Sequence, residues 1–421
     1  MAYFPRAWSA LPFKDCNTLG KDTSHVANVE VNNNDVGVFG DIDGDGRVDL
    51  IARDATKAYR VFKQTESRAF ASSVEVLDAT TALSKKICVN AGPVDLDKDG
   101  FNDIIFAGAA TVWGSNRGTQ DLVNFGTADT GALGTMSSVD LSGNELKFSN
   151  RCVVADFDGD SNDDIAMVNT YFGEKDVVFL NQGSRSFASA AVVSTSGFGH
   201  DIVAADVDKD GNIDLVVAQS DSAGEYVLFG NGDGTFSDAY KFNTGSVGAI
   251  AVCDLNGDGY PDVVVGDYYS FRGIKVYLNA GSGAARSGTF PTATTVSNAF
   301  QHIYGIACGD VDGDGDNDVV IAQSSANSQY FENLGSGVLS STPVEIDTMS
   351  KAGMLFLYDV DGDGNLDLLG GGKVCFNAAE ATSSSPCDAS TAPSNGSVGD
   401  CTASLASGST CQPTCNSGYT V

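Results

Sequence analysis

Histidine is nearly missing from this chain: there are three in 421 residues, His25, His200 and His302. None shares a spacing with a nucleophile or a base, and His200 and His302 precede apolar runs, where structural roles are expected. No G-x-S-x-G, catalytic Cys/His set or phosphate-binding loop occurs. No apolar run reaches 18 residues, so nothing reads as a membrane helix. The start, "MAYFPRAWSALPFKD", lacks the basic and apolar regions of a leader. Basic residues are few, 24 against 55 acidic, for a net charge of −31. That balance argues against nucleic acid or an anionic membrane as partner.

What the chain has instead is aspartate in a fixed spacing. "DVDGDGDND" at 310–318 places five aspartates in nine residues and runs straight into the apolar "VVIAQ". Such carboxylates repel one another and resist burial unless a cation sits among them. Written D-x-D-x-D-x-x-x-D, the pattern occurs seven times, once with Asn for Asp. Loop I holds Asp41, Asp43, Asp45 and Asp49, loop II Asp95, Asp97, Asp99 and Asp103, and loop III Asp156, Asp158, Asp160 and Asp164. Loop IV holds Asp206, Asp208, Asp210 and Asp214, and loop V Asp254, Asn256, Asp258 and Asp262. Loop VI holds Asp310, Asp312, Asp314 and Asp318, and loop VII Asp359, Asp361, Asp363 and Asp367. First positions lie 54, 61, 50, 48, 56 and 49 residues apart. These loops take up about half of the 55 acidic residues.

Alternate carboxylates in a tight loop suit a hard cation. Calcium takes six to eight oxygens, and positions 1, 3 and 5 can aim side chains at one point while position 7 adds a backbone carbonyl. That assigns a carbonyl to Arg47, Phe101, Asn162, Asn212, Tyr260, Asp316 and Asn365, with the Asp316 side chain facing water. The sixth position is Gly in six loops, as a sharp turn requires, and Ser161 in the third. Acidic hairpin turns kept for solubility are the alternative, and they leave the ninth-position Asp unexplained. Magnesium prefers fewer protein ligands and more water, so calcium is the expected ion, at about seven sites.

The loop start resembles an EF-hand, but no Glu stands at position 12 and the flanks are not helical. Short, largely β-branched runs flank each loop, such as "AIAVC" before and "PDVVVG" after loop V. These read as buried strands, so each loop joins two antiparallel strands. About 25 residues beyond the first Asp comes a third strand ending in Asn, at Asn181, Asn231 and Asn279, then a Gly-rich turn and a fourth strand. Four strands in roughly 50 residues make a propeller blade.

On these loops, with "LFGNGDGTF" in support, the chain resembles the FG-GAP/VCBS-type calcium propellers, including the integrin α-subunit head. The resemblance covers residues from about 1 to 380. It implies an all-β, seven-bladed propeller with a calcium loop in each blade. Integrin heads carry such loops in only some blades, so integrin-like ligand binding is not implied. Blade 7 lacks a strand after "KVCFNAA", and the segment around "AWSALPFK" is expected to complete it. Residues 1–380 form the propeller in this reading, and 381–421 a Cys-rich, incomplete sushi-like module.

Of ten cysteines, Cys387, Cys401, Cys411 and Cys415 crowd a Ser/Thr/Gly-rich tail and read as disulfides. A zinc reading of Cys411/Cys415 finds no histidine nearby. Cys152, Cys253 and Cys308 fall on inner strands, where free buried thiols are expected. Asn395-Gly-Ser is a glycosylation sequon. Extracellular calcium modules bind at roughly 10⁻⁴–10⁻³ M, and a low-calcium cytosol would leave the loops self-repelling, so an extracellular or cell-surface home is expected.

Strand alternation puts the loops between second and third strands on the face opposite the acidic loops. Several are aromatic: Trp113, then Tyr171 and Phe172, then Tyr268, Tyr269 and Phe271 beside Arg272. Such residues suit protein or glycan contacts, or else pack over blade edges. The expectation is a non-catalytic adhesion, recognition or scaffold module of an extracellular assembly. The alternatives are a calcium-dependent polysaccharide lyase or hydrolase, and a lectin.

Overall fold

The computed structural model describes residues 13–18, 38–42, 45–53, 59–66, 69–70, 74–77, 85–88, 94–108, 121–126, 137–141, 149–169, 175–188, 191–192, 199–219, 224–237, 239–242, 247–267, 273–283, 288–297, 302–323, 326–350, 354–370, 373–377, 396–397 and 414–415. The chain divides into two compact units, Met1–Asn377 and Ala378–Val421. The first is all-β and β-propeller-like. Among the described residues its one helical element is a 3₁₀ turn, Gly281–Gly283.

Among the described residues this unit holds seven four-stranded antiparallel sheets and a short hairpin, Gln64–Glu66 with Ala69–Phe70. Numbered by the acidic loop that joins their first two strands, six of the four-stranded sheets are built in chain order, and sheet V shows the plan: Val247–Cys253, Asp262–Asp267, Ile274–Tyr277 and Ala293–Ser297 lie side by side. Sheet VII takes its fourth strand from the start of the chain. Phe13–Thr18 pairs antiparallel with Lys373–Asn377, beyond Asp367–Gly370 and Leu355–Tyr358.

The second strands explain why the apolar runs are continuous rather than alternating. Asp164–Asn169, Asp214–Gln219, Asp262–Asp267 and Asp318–Gln323 are buried at every residue. One face packs on the preceding sheet and the other on the next. Val264 and Val319, for example, share a cluster between sheets V and VI, whereas Val263 and Val216 share one between IV and V. A cluster of Val360, Leu369, Val374 and Phe376 in sheet VII receives Val48 of sheet I.

Cysteines tie first strands together, which corrects the expectation of free thiols at Cys152, Cys253 and Cys308. Cys88–Cys152 joins sheets II and III, and Cys253–Cys308 joins V and VI. Neighbouring first strands bring these residues to Cα separations of 5.4 and 6.4 Å, within the span of a disulfide. Cys375 is also disulfide-bonded and stands opposite Cys16 in the ladder between Phe13–Thr18 and Lys373–Asn377. In the second unit Gly396–Ser397 pairs with Thr414–Cys415. The expected disulfides, zinc alternative and sushi-like character of this tail lie outside the described residues, as does Asn395.

Candidate metal centres and the links between sheets

Each acidic loop closes the hairpin between a first and a second strand, with its ninth-position Asp as the first buried residue of the second. Asp49, Asp103, Asp164, Asp214, Asp262, Asp318 and Asp367 all have 0% of their surface exposed. Burial of seven carboxylates is tolerated because both oxygens of each accept backbone N–H groups. One oxygen accepts from the second loop position, as Leu255 N donates to Asp262 at 2.9 Å. The other accepts from a residue at or just beyond the end of the third strand, as Asn279 N donates to Asp262 at 2.7 Å. The same pair recurs at Asp49, Asp103, Asp164, Asp214, Asp318 and Asp367.

The residue ending the third strand then reaches the preceding sheet. Asn181, Asn279, Asn333 and Asn377 donate from Nδ2 to the carbonyls of Leu96, Val207, Leu255 and Val311, at 2.6–2.8 Å. In sheet I, Gln64 takes this place and donates to Val360 O of sheet VII at 2.9 Å. Sheet IV departs: Gly230 occupies the position, Asn231 is exposed, and Gly234 N donates to Phe157 O instead. The spacing shows an Asn at the strand end, but not which Asn faces inward. Gly230 has an ideal Cβ position only 2.3 Å from Ile213 O, so a side chain is excluded there.

At the loop tips the chain turns through left-handed backbone at positions 4 and 6. Position 6 has φ between +84° and +98° at Gly46, Gly100, Gly211, Gly259, Gly315 and Gly364, and Ser161 adopts +71°. Position 4 is left-handed too, at Gly159, Gly257, Gly313 and Gly362 but also at Lys98 and Lys209. This coil turns N–H groups inward. In loop VI, Gly313, Asp314 and Gly315 all donate to Asp310, and Asp314 and Asp316 donate to Oδ1 of Asp312 and Asp314. Loops II, III, IV and VII repeat the Oδ1 contacts at positions 3 and 5. In loop III the second oxygen of Asp160 accepts from Asn162 Nδ2 at 2.9 Å.

Five groups of carboxylates converge so that one ligand oxygen from each lies within 4.8 Å of the others: Asp95, Asp97 and Asp99; Asp156, Asp158 and Asp164; Asp206, Asp208 and Asp210; Asp310, Asp312 and Asp318; and Asp359, Asp361 and Asp367. Loop V brings Asp254, Asp258 and Asp262 with Asn256 in the third place, and Asp43 of loop I lies outside the described residues. Asp316 is half-buried rather than fully in water. Burial pushes Asp103, Asp214 and Asp318 up to about 7, and Asp164, Asp262 and Asp367 up to about 6. Their backbone donors pull down against this, and neighbouring loop carboxylates push up further. An all-oxygen donor set short of positive charge fits a hard divalent cation.

At the opposite end of the first strands, Arg151 of sheet III spans to other sheets. Its Nη2 donates to Tyr304 O of sheet VI at 3.3 Å, and its Nη1 lies 3.7 Å from Asp201 of sheet IV. Sequence patterning gave no sign of this contact, which depends on strands 50 and 153 residues away. His200 and His302 are half-buried near the starts of first strands. The aromatic set Trp113, Tyr171, Phe172, Tyr268, Tyr269, Phe271 and Arg272 lies outside the described residues, as does His25.

No curated protein matches the chain in sequence. Among solved structures, an Agrocybe aegerita lectin that recognises non-reducing terminal N-acetylglucosamine is similar at 22% identity and TM-score 0.53, covering 75% of this chain and 81% of its own. A chain of the BBS1N–ARL6DN complex is similar at 12% identity and TM-score 0.51, covering 86% and 94%. An exotype rhamnogalacturonan lyase, YesX, has 14% identity and TM-score 0.41, covering 74% and 56%. The first two likenesses show the fold alone. The model of the FG-GAP-like repeat matches residues 156–217, 206–265, 254–321 and 310–370, each match running from one acidic loop through the second strand of the next sheet. Four overlapping matches across just over half of the sequence, set on loops that organise every sheet, make the chain a member of the FG-GAP-like repeat family.

Proposed function

We propose that this protein is a non-catalytic, extracellular recognition or scaffold module: a seven-bladed propeller whose acidic loops bind about seven calcium ions as structural staples. The observation that carries this reading is the double use of each ninth-position Asp. One buried carboxylate anchors the loop and fixes the end of the third strand, from which a side chain grips the preceding sheet in five of seven cases. Calcium bound by positions 1, 3, 5, 7 and 9 would neutralise the charge that this arrangement concentrates. The residues of that set are therefore committed to the fold, and recognition falls to the face away from them. Disulfides between neighbouring sheets support an oxidising compartment.

A lectin activity is the second reading. It is favoured by aromatic side chains beside Arg272 in loops expected on that face, and the Agrocybe aegerita lectin uses a similar fold to recognise a sugar. A polysaccharide lyase or hydrolase is the enzymatic alternative. Two assays separate the three. Mixed polysaccharides are incubated with the protein in calcium and in chelator: metal-dependent cleavage would overturn the scaffold reading. A glycan array then decides for the lectin if binding is present and is lost in Trp113→Ala or Tyr268→Ala.

A further inference from the structure

One acidic loop already contains a cation supplied by the chain. In loop II the Arg185 guanidinium contacts Oδ2 of Asp97 through Nε and Oδ2 of Asp99 through Nη2, the latter at 3.1 Å. These are the third and fifth positions, and their Oδ1 atoms are occupied as in the other loops, by Asp99 N and Phe101 N. Arg185 thus holds the second oxygen of each. Its charge also lies 4.7 Å from the centroid of the Phe125 ring, which fixes the guanidinium from another side. The Asp97 side chain is only 6% exposed, so its ion pair with Arg185 is sheltered from solvent screening.

The backbone at Arg185 gives an independent sign. It sits in the turn after the third strand of sheet III, four residues beyond Asn181. The same place in sheets IV and VI, four residues beyond Gly230 and Asn333, is Gly234 and Gly337, with φ of +76° and +74°. Arg185 adopts φ +62° there, a left-handed conformation that is strained for a residue with a side chain. The turn overhangs the loop of the preceding sheet, as the bond from Gly234 N to Phe157 O demonstrates for sheet IV. A side chain at this position therefore enters the neighbouring acidic loop. The contact of Arg47 with Asp45 is different in kind: it engages one carboxylate, within the same loop, at side-chain exposures of 47% and 28%.

We propose that Arg185 is the resident cation of loop II, a guanidinium that takes the place of calcium there, leaving six loops for calcium, and that ties sheet III to sheet II without metal. The inference rests on the calcium reading of the other loops. Loop II is then a permanent link, whereas the remaining loops respond to calcium concentration. Removing the guanidinium restores an ordinary loop with Asp95, Asp97, Asp99 and Asp103 available.

The test counts calcium per chain by equilibrium dialysis on the full chain and on Arg185→Gln, Asp97→Asn and Asp208→Asn. Loss of one calcium in Asp208→Asn establishes that an ordinary loop binds. The inference expects one more calcium in Arg185→Gln than in the parent and an unchanged count in Asp97→Asn. An unchanged count in Arg185→Gln, with one calcium lost in Asp97→Asn, overturns it. Absence of bound calcium in every variant, the parent included, overturns the calcium reading and this inference together. Melting temperatures supply the second readout. Arg185→Gln should melt below the parent in chelator and match or exceed it in saturating calcium; a deficit that persists in calcium assigns Arg185 a packing role and refutes the proposal.

Discussion

Replacing Asn279 by alanine separates the links between sheets from every effect of metal. The amide nitrogen donates to Val207 O at 2.8 Å and Pro261 O at 2.9 Å, and the amide oxygen accepts from Gly281 N and Gly288 N at 3.1 Å each. The residue is 5% exposed, so partners left behind have little access to water. Four hydrogen bonds at about 1 kcal/mol each put the loss at about 4 kcal/mol, a large share of the stability of an ordinary protein. Asn231 ends the matching strand of sheet IV but is exposed, with a side-chain bond to Thr235 Oγ1 at 2.9 Å. Its replacement by alanine should cost about 0.5 kcal/mol or less. Urea denaturation of both variants in one calcium-containing buffer, followed by fluorescence, gives the comparison. Equal midpoints, or a cost below about 1 kcal/mol for Asn279→Ala, would refute the assignment of Asn279 as a clip between sheets.

Three further outcomes follow from the same structure. Six ninth-position aspartates, Asp103, Asp164, Asp214, Asp262, Asp318 and Asp367, have folded-state values raised to about 6–7, so their contribution to metal-free stability is present below pH 4 and is lost as pH rises through 6–7. In chelator the melting temperature should therefore fall between pH 5 and 8 while the gain from calcium grows; a gain equal at both ends contradicts this. Cys253 and Cys308 are 55 residues apart, and opening that loop by Cys253→Ser should cost about 4 kcal/mol on chain-entropy grounds. Calorimetry checks that loss, and non-reducing peptide mapping of the parent must find the pair. Ser161→Gly removes a side chain from φ +71°, and a stabilisation of about 0.5–1 kcal/mol is expected in a urea melt, whereas destabilisation would place a needed contact on the Ser161 side chain.

The sequence made the strand pairs and acidic loops legible because both depend on local spacing. A buried strand flanked on both faces must be apolar throughout, and "DVVVGD" or "DVVIAQ" reads so directly. Glycine at position 6 was legible for the same reason, but the left-handed turn at position 4 was concealed by Lys98 and Lys209. What could not be read were contacts between neighbouring repeats. The Asn181 amide finds Leu96 O 85 residues away, and Arg185 finds Asp97 across 88. Asn181 and Asn231 look alike in the chain, and only the one-residue offset at Gly230 separates a buried clip from a solvent-exposed side chain. The cysteines on first strands likewise carry no local mark of pairing, because their partners lie one repeat away.

If divalent metal in the acidic loops stabilises the folded sheets, its removal must lower the melting temperature, which scanning calorimetry in millimolar calcium and again in EDTA measures. At about ten times Kd a single site adds about 1.4 kcal/mol, so several sites together contribute on the order of 10 kcal/mol. The melting temperature should be many degrees lower in EDTA and be restored by added calcium. An identical melting temperature in the two buffers would contradict it.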